Sequence, residues 1–249
     1  MDSNQIMSDF KNKIILIIGG SSGIGKTTAL LFAEKGADVA ITYKNNKKGA
    51  EDVVSEILKM GRKSLAIKAD LSEDKNAKEA VKKTLETFSR IDVLINNAGR
   101  YIDGDEWNLE SKTWIESLKQ NLVSAMSMSK YATEIFQKQR SGIIVNVASK
   151  HGVSGYSDSI SYGAAKAGVI NITQAYSKLL ASFSGRANSV SPSAVEAGYW
   201  LTAQKEELDD RLARRPNHKL IESKEVAEKI VFLASDEAKD INGHNFLIE

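Results

Sequence analysis

Short, wholly apolar runs alternate along the chain with longer stretches whose apolar residues recur at helical spacing. Residues 13–18 (KIILII) predict a strand covered on both faces, as strands of parallel sheets are. A glycine-rich turn follows, then a helix over about 25–35 that stops at Gly36. Further strands are predicted at 38–43, 64–68, 91–95, 142–148 and 186–191, with a last one at 244–248. Helices are predicted between them at 47–60, 74–89, 161–182 and 223–234, with one long helix over about 111–138. Strict alternation of strand and helix predicts the α/β class, with a doubly wound, mostly parallel sheet. No repeat, low-complexity stretch or linker divides the chain, so residues 12–249 read as a single domain behind a flexible leader, 1–11.

Composition narrows the function classes. The 249 residues are 42% hydrophobic and 27% charged, enough apolar chain for one large core, which excludes a disordered or fibrous protein. There is no cysteine, hence no disulfide, no thiolate metal site and no cysteine nucleophile; no metal is expected. A net charge of +2 gives no electrostatic case for nucleic acid. The start, MDSNQIMSDFKNK, has no apolar segment of a secretory signal, and the run Ile14 to Ile18 falls far short of the ~20 residues of a membrane helix. A cytoplasmic protein without a membrane partner is expected.

The candidate chemistry begins at residues 19–27, GGSSGIGKT, between the first strand and the first helix. Free N–H groups and the helix dipole make such a position an anion site. Three patterns fit the string. Gly20, Gly25, Lys26 and Thr27 satisfy the P-loop of nucleoside triphosphatases and kinases. Gly19, Ser21 and Gly23 satisfy the nucleophile elbow of serine hydrolases. Gly19, Gly23 and Gly25 satisfy the spacing G-x-x-x-G-x-G of dinucleotide-binding reductases. A P-loop enzyme needs a magnesium-binding acid at another strand tip. The strands IDVLINN and IIVNVAS end in amides or serine, and Asp70 follows a run interrupted by Lys68. The elbow reading lacks an acid–base partner, because His218 and His244 sit in no recognisable context.

Residues further along decide between these patterns. Asn96-Asn97-Ala98-Gly99 follow the strand IDVLI, Asn121 lies in the next helix, Ser149 ends IIVNVAS, and Tyr162-Gly-Ala-Ala-Lys166 opens a helix. With the glycine loop and the later Ser-Pro segment, this order resembles the short-chain dehydrogenase/reductase family over nearly the whole chain. The resemblance implies a Rossmann-type fold and hydride transfer between NADP(H) or NAD(H) and a small-molecule carbonyl or secondary alcohol, nearest to the 3-oxoacyl-carrier-protein reductase-like group. Tyr162 and Lys166, four apart, share a helix face. A nearby ammonium brings a phenol toward a working pKa, and Ser149 can hold the substrate oxygen. By the same resemblance Asn121 holds a water in a proton relay. Gly19, Ser21, Ser22, Gly23, Ile24, Asp70, Leu71, Asn97, Ala98, Gly99, Pro192 and Val195, with Tyr162 and Lys166, contact the cofactor. A non-catalytic dinucleotide-binding regulator remains the other alternative to the P-loop reading, although the full Ser-Tyr-Lys-Asn set disfavours it.

The usual P-G-x-V-x-T segment reads Pro192-Ser193-Ala194-Val195-Glu196-Ala197, so the threonine near the nicotinamide is alanine. The second strand ends at Tyr43 and Lys44 with no acid, which favours NADP(H) over NAD(H): Lys44 suits a 2′-phosphate, and Tyr43 is placed to stack on adenine. His151, two residues past Ser149, either faces substrate or is a solvated loop histidine, the default reading. The segment 193–220, charged and carrying Tyr199 and Trp200, is expected to shape the substrate pocket as a lid. Met126, Met128, Tyr131, Ile135 and Phe136 give the long helix more apolar circumference than one sheet covers, which predicts a homo-oligomer, and the resemblance adds a tetramer.

Overall fold

A computed structural model describes residues 10–101, 107–201, 203–213 and 219–249. Of the expected leader, residues 1–9 lie outside this description, as do Arg214, Arg215 and His218 in the expected lid.

Seven strands form one sheet: β1 (Ile14–Ile18), β2 (Asp38–Tyr43), β3 (Ser64–Lys68), β4 (Val93–Asn96), β5 (Ile143–Val147), β6 (Arg186–Pro192) and β7 (Asn245–Ile248). Their order is β3-β2-β1-β4-β5-β6-β7, and every pairing is parallel. The helices α1 (Gly23–Glu34), α2 (Lys47–Lys59), α3 (Asp74–Phe88), α4 (Ser111–Leu118), α5 (Ser124–Gln139), α6 (Ile160–Ala181), α7 (Lys205–Ala213) and α8 (Ser223–Ala234) fill the connections. All five residues of β1 are buried, because helices cover both faces of the sheet. One apolar layer joins Ile15, Ile17 and Phe32 to Val226 and Ile230, and the other joins Leu16, Leu94 and Ile144 to Met128 and Phe136. On α2 the buried positions are Ala50, Val53 and Ile57, a stripe at helical spacing, and the Asn46 side chain caps its start by accepting from Gly49 N at 3.0 Å.

The sequence pattern and the structure differ in four places. The helix expected over 111–138 is not continuous: α4 and α5 are separated by a π-helical turn, Lys119–Val123, at whose centre Asn121 is buried. The helix α7 was not legible in the apolar pattern. Met128 and Phe136 are core residues with no exposed surface, so only Met126 and the half-buried Tyr131 and Ile135 remain of the apolar excess on that helix. Phe10, assigned to the leader, is 3% exposed and packs edge-on against Phe32 at 4.9 Å, while its N–H donates to Lys35 O. Replacement Phe10→Ala is expected to lower unfolding stability by about 3–5 kcal/mol, the range for a buried phenylalanine. Urea denaturation followed by circular dichroism checks this; an unchanged midpoint would place Phe10 outside the core.

Candidate active site

The chain runs from β1 outward to β2 and β3 and returns to β4 beside β1, so the sheet has its switch point between β1 and β4. Crevices at the carboxyl ends of strands on either side of such a point take ligands. Here a cleft of about 870 Å³ opens there.

One half of the cleft is built on the glycine loop. Gly19 has φ +76°, Gly20 N donates to Thr42 O at 3.0 Å, and the Asn97 side chain donates to Gly19 O at 2.9 Å. A Cβ on Gly25 would lie 2.0 Å from Gly19 O, so only glycine lets the helix start this close to the loop. Ser22, the residue before α1, makes no side-chain cap, and the first turn of α1 carries no acid. Its N–H groups and dipole are therefore available to an anion, and the residues present fit a dinucleotide phosphate. Lys26, which the P-loop pattern requires on that phosphate, instead donates to Glu56 Oε1 at 2.8 Å and does not line the cleft.

Gly19, Ser21, Ser22, Gly23, Ile24, Tyr43, Lys44, Asp70, Leu71, Asn97, Ala98, Gly99, Pro192 and Val195 all line this one cleft, as do Ser149, Tyr162 and Lys166. Lys44 and Asp70, both expected at the cofactor, form an ion pair at 2.8 Å. Burial pushes the Asp70 carboxyl up, but the bonds from Lys44 and Ser72 outweigh it and hold it below the usual carboxylate range. Asp70 is not the cap of α3, where Glu73 stands; it closes a local turn through Ser72 N and Ser72 Oγ.

The other half holds the hydroxyl and amine groups. Ser149 follows β5 and hydrogen-bonds Tyr162 on α6, while His151 N donates to Ser149 Oγ at 3.2 Å. Lys166, one helical turn beyond Tyr162, donates to Val147 O at 2.8 Å, with Nζ 5.8 Å from the Tyr162 ring centroid. Burial lowers the Lys166 pKa from 10.5 to about 8. Burial also pushes the Tyr162 phenol up, against the opposing bond from Ser149. Burial thus outweighs the Ser149 bond at the Tyr162 phenol, and the Lys166 ammonium, expected to draw that phenol down, faces the Val147 carbonyl.

Asn121 stands behind the cleft, 1% exposed. Its Oδ1 accepts from Arg100 N at 2.9 Å, and its Nδ2 donates to Arg100 O and Ser117 O, both at 3.0 Å. The side chain pins the segment after β4 rather than projecting into the cleft. A Cβ on Gly99 would lie 2.6 Å from Asn121 Oδ1 and 3.0 Å from Lys166 Nζ, so Asn121, Gly99 and Lys166 are packed together. Sequence reasoning passed over two cleft residues. His151, given by default to solvent, lines the cleft beside Tyr162, and Tyr101 was not singled out at all. The signal available for both was position alone, two residues past Ser149 and two past Gly99.

Comparison with known proteins shows the family. A family model described as enoyl-(acyl carrier protein) reductase matches residues 19–249. The chain is 35% identical over 232 residues to the 3-oxoacyl-(acyl-carrier-protein) reductase FabG of Staphylococcus epidermidis, covering 93% of this chain and 95% of that one. It is 35% identical over 246 residues to the 3-oxoacyl-(acyl-carrier-protein) reductase of Synechocystis, covering 98% of each. The crystal structure of levodione reductase superposes with a TM-score of 0.89 at 26% identity, covering 96% of this chain and 97% of that one. Its glycine loop, its parallel sheet and the meeting of Ser149, Tyr162 and Lys166 thus accompany similarity along almost its full length, and the chain belongs to the short-chain dehydrogenase/reductase family of NAD(P)-dependent oxidoreductases.

Proposed function

We propose that this protein reduces a carbonyl compound, or oxidises the corresponding secondary alcohol, with NADP(H) as the preferred cofactor. The convergence of Ser149, Tyr162 and Lys166 beside the glycine cradle carries this reading. The nicotinamide supplies or accepts the hydride. The chain's own groups manage the oxygen: Ser149 Oγ positions it, and the Tyr162 hydroxyl gives or takes its proton. The Lys166 ammonium would stabilise the phenolate when it forms and would hold the cofactor ribose. Asn121 keeps the adjoining backbone in place, and a water it shares with Lys166 would carry the proton onward. The names of two similar proteins point to two kinds of substrate, a 3-oxoacyl group on a carrier protein and levodione. Exposed Val123, Met126, Ile160 and Leu179 on the outer surface of the π-helical turn, α5 and α6 support the proposed homotetramer. Among the described residues no helix is long and apolar enough to cross a membrane, in keeping with the proposed cytoplasmic location.

The preference for NADP(H) rests on Lys44 just past the end of β2, a strand that itself ends in no acid that would bond the ribose hydroxyls and repel a 2′-phosphate. Asp70 holds that ammonium at the cleft wall through an ion pair of 2.8 Å.

Tyr162→Phe is expected to lower kcat by about two to four powers of ten while leaving NADPH affinity within about threefold. Steady-state assays at 340 nm with fluorescence titration of NADPH check this, and near-normal turnover would sink the mechanism. Lys44→Ala is expected to raise the KM for NADPH by about 10- to 100-fold with little change for NADH, as loss of a charge-assisted bond implies. Equal wild-type efficiency with both cofactors would refute the preference.

A pH dependence follows from Lys166. Its folded-state pKa, about 8, lies below the ordinary lysine value, so the free protein loses the ammonium as pH rises through about 8. NADPH affinity should be constant below that point and weaken above it, because binding must then take up a proton. Lys166→Met should bind weakly with no such inflection. Titrations from about pH 6.5 to 9.5 read the difference.

A further inference from the structure

We infer, on the footing of the reductase reading above, that Tyr101 and His151 determine the shape of the substrate. The substrate they admit is a compact carbonyl compound, a small ring or short chain, and not an extended acyl thioester.

The Tyr101 ring stands edge-on to the Tyr162 ring, with centroids 5.6 Å apart and an interplanar angle of 85°. Its hydroxyl donates to Asp158 O at 2.9 Å. Asp158 belongs to the segment that leads into α6, whereas Tyr101 follows β4, so this one side chain bridges two walls of the cleft beside Tyr162. His151 completes the group. Its ring lies 5.9 Å from Tyr162 at 79° and 6.1 Å from Tyr101 at 88°. The three rings are thus mutually near-perpendicular, the edge-to-face arrangement that aromatic quadrupoles favour.

His151 is held firmly in this group. Its Nδ1 is 2.8 Å from Oγ of the buried Ser159, and its ring stacks on Tyr156 at 4.3 Å and 20°. The turn that carries it lies directly on α6. A Cβ on Gly152 would come within 2.5 Å of Lys166 backbone, and one on Gly163 within 2.9 Å of His151 O. Displacing His151 therefore means lifting the turn from the helix. Displacing Tyr101 breaks its hydrogen bond to Asp158 and its contacts with the Tyr162 and His151 rings.

A substrate oxygen must reach the Ser149 and Tyr162 hydroxyls next to this wall. A flat ring or a short chain can lie against the ring edges without moving them. A carbonyl whose long substituent runs toward this wall must turn Tyr101 out of its bridge to Asp158. Aromatic contacts reward the first kind of substrate, and the bridge penalises the second, the two ways by which specificity arises.

The test uses the full chain and its Tyr101→Ala, Tyr101→Phe and His151→Ala variants with NADPH. Substrates are diacetyl, cyclohexanone, and the N-acetylcysteamine thioesters of acetoacetate and of a 3-oxo-octanoyl group. Wild-type kcat/KM for the better compact ketone is expected to exceed that for the oxo-octanoyl thioester by about tenfold or more. Tyr101→Ala should shift that ratio about tenfold toward the long thioester, His151→Ala should shift it in the same direction, and Tyr101→Phe should stay nearer wild type because the ring remains. A merely structural role would lower every substrate by one factor and leave the ratio alone. A wild-type preference for the long thioester, or an unchanged ratio in Tyr101→Ala, overturns the inference and leaves the reductase reading intact. The wild-type preference is decisive even where a variant fails to fold. No turnover of any substrate by protein that binds NADPH overturns both.

Discussion

Parallel strands cannot be joined by a tight hairpin, so each connection in this chain must cross a face of the sheet before the next strand begins. All seven carboxyl ends consequently emerge on one side. The turns that follow β1, β2, β4, β5 and β6 are gathered there although they are far apart in sequence. Gly19, Lys44, Asn97, Ser149 and Pro192 line one cleft for that reason. The return of the chain from β3 to β4, alongside β1, parts the crossovers and opens the cleft between them.

Precision within the cleft comes from buried polar contacts. Asn96 Nδ2 donates to Asn146 Oδ1 at 2.8 Å and to Ser129 Oγ at 2.9 Å, and Asn146 Nδ2 donates to Thr173 Oγ1 at 2.7 Å. This network links β4 and β5 to α5 and α6 beneath the residues that carry the chemistry, and low polarity around it makes each bond costly to lose. Asn97 ties the glycine loop to β4, and Asn121 ties the segment after β4 to the π-helical turn. A π turn inserts an extra residue into the helical register, a device common at functional sites. Here it lets Asn121 face Arg100 while α4 and α5 keep their own faces on the protein.

Electrostatics in the two halves differ in kind. At the β2 tip, charges are half-exposed and satisfied by one another, as in Lys44 with Asp70. Around Lys166 the charge is buried, its ammonium donates to the Val147 carbonyl, and desolvation moves its pKa toward the working range. The phenol of Tyr162 is moved the other way by the same burial.

The amino-acid sequence by itself determined the strands, because runs such as IILII and IIVNV have no polar face to offer water. It also determined the glycine spacing at the first turn and the placing of Tyr162 and Lys166 on one helix face. All of these are local properties, written in residues within a few positions of one another. Only the tertiary structure decided that Lys26 turns to Glu56, that Lys44 meets Asp70, and that Phe10 is core rather than leader. It alone decided that the long helix breaks into a π turn at Asn121 and that Tyr101 and His151 close around Tyr162. In each case the deciding partner lies 11 or more residues away along the chain — Tyr162 is 11 from His151 and Glu56 is 30 from Lys26 — and hydrophobic periodicity carries no information about which distant group a polar or aromatic side chain will meet.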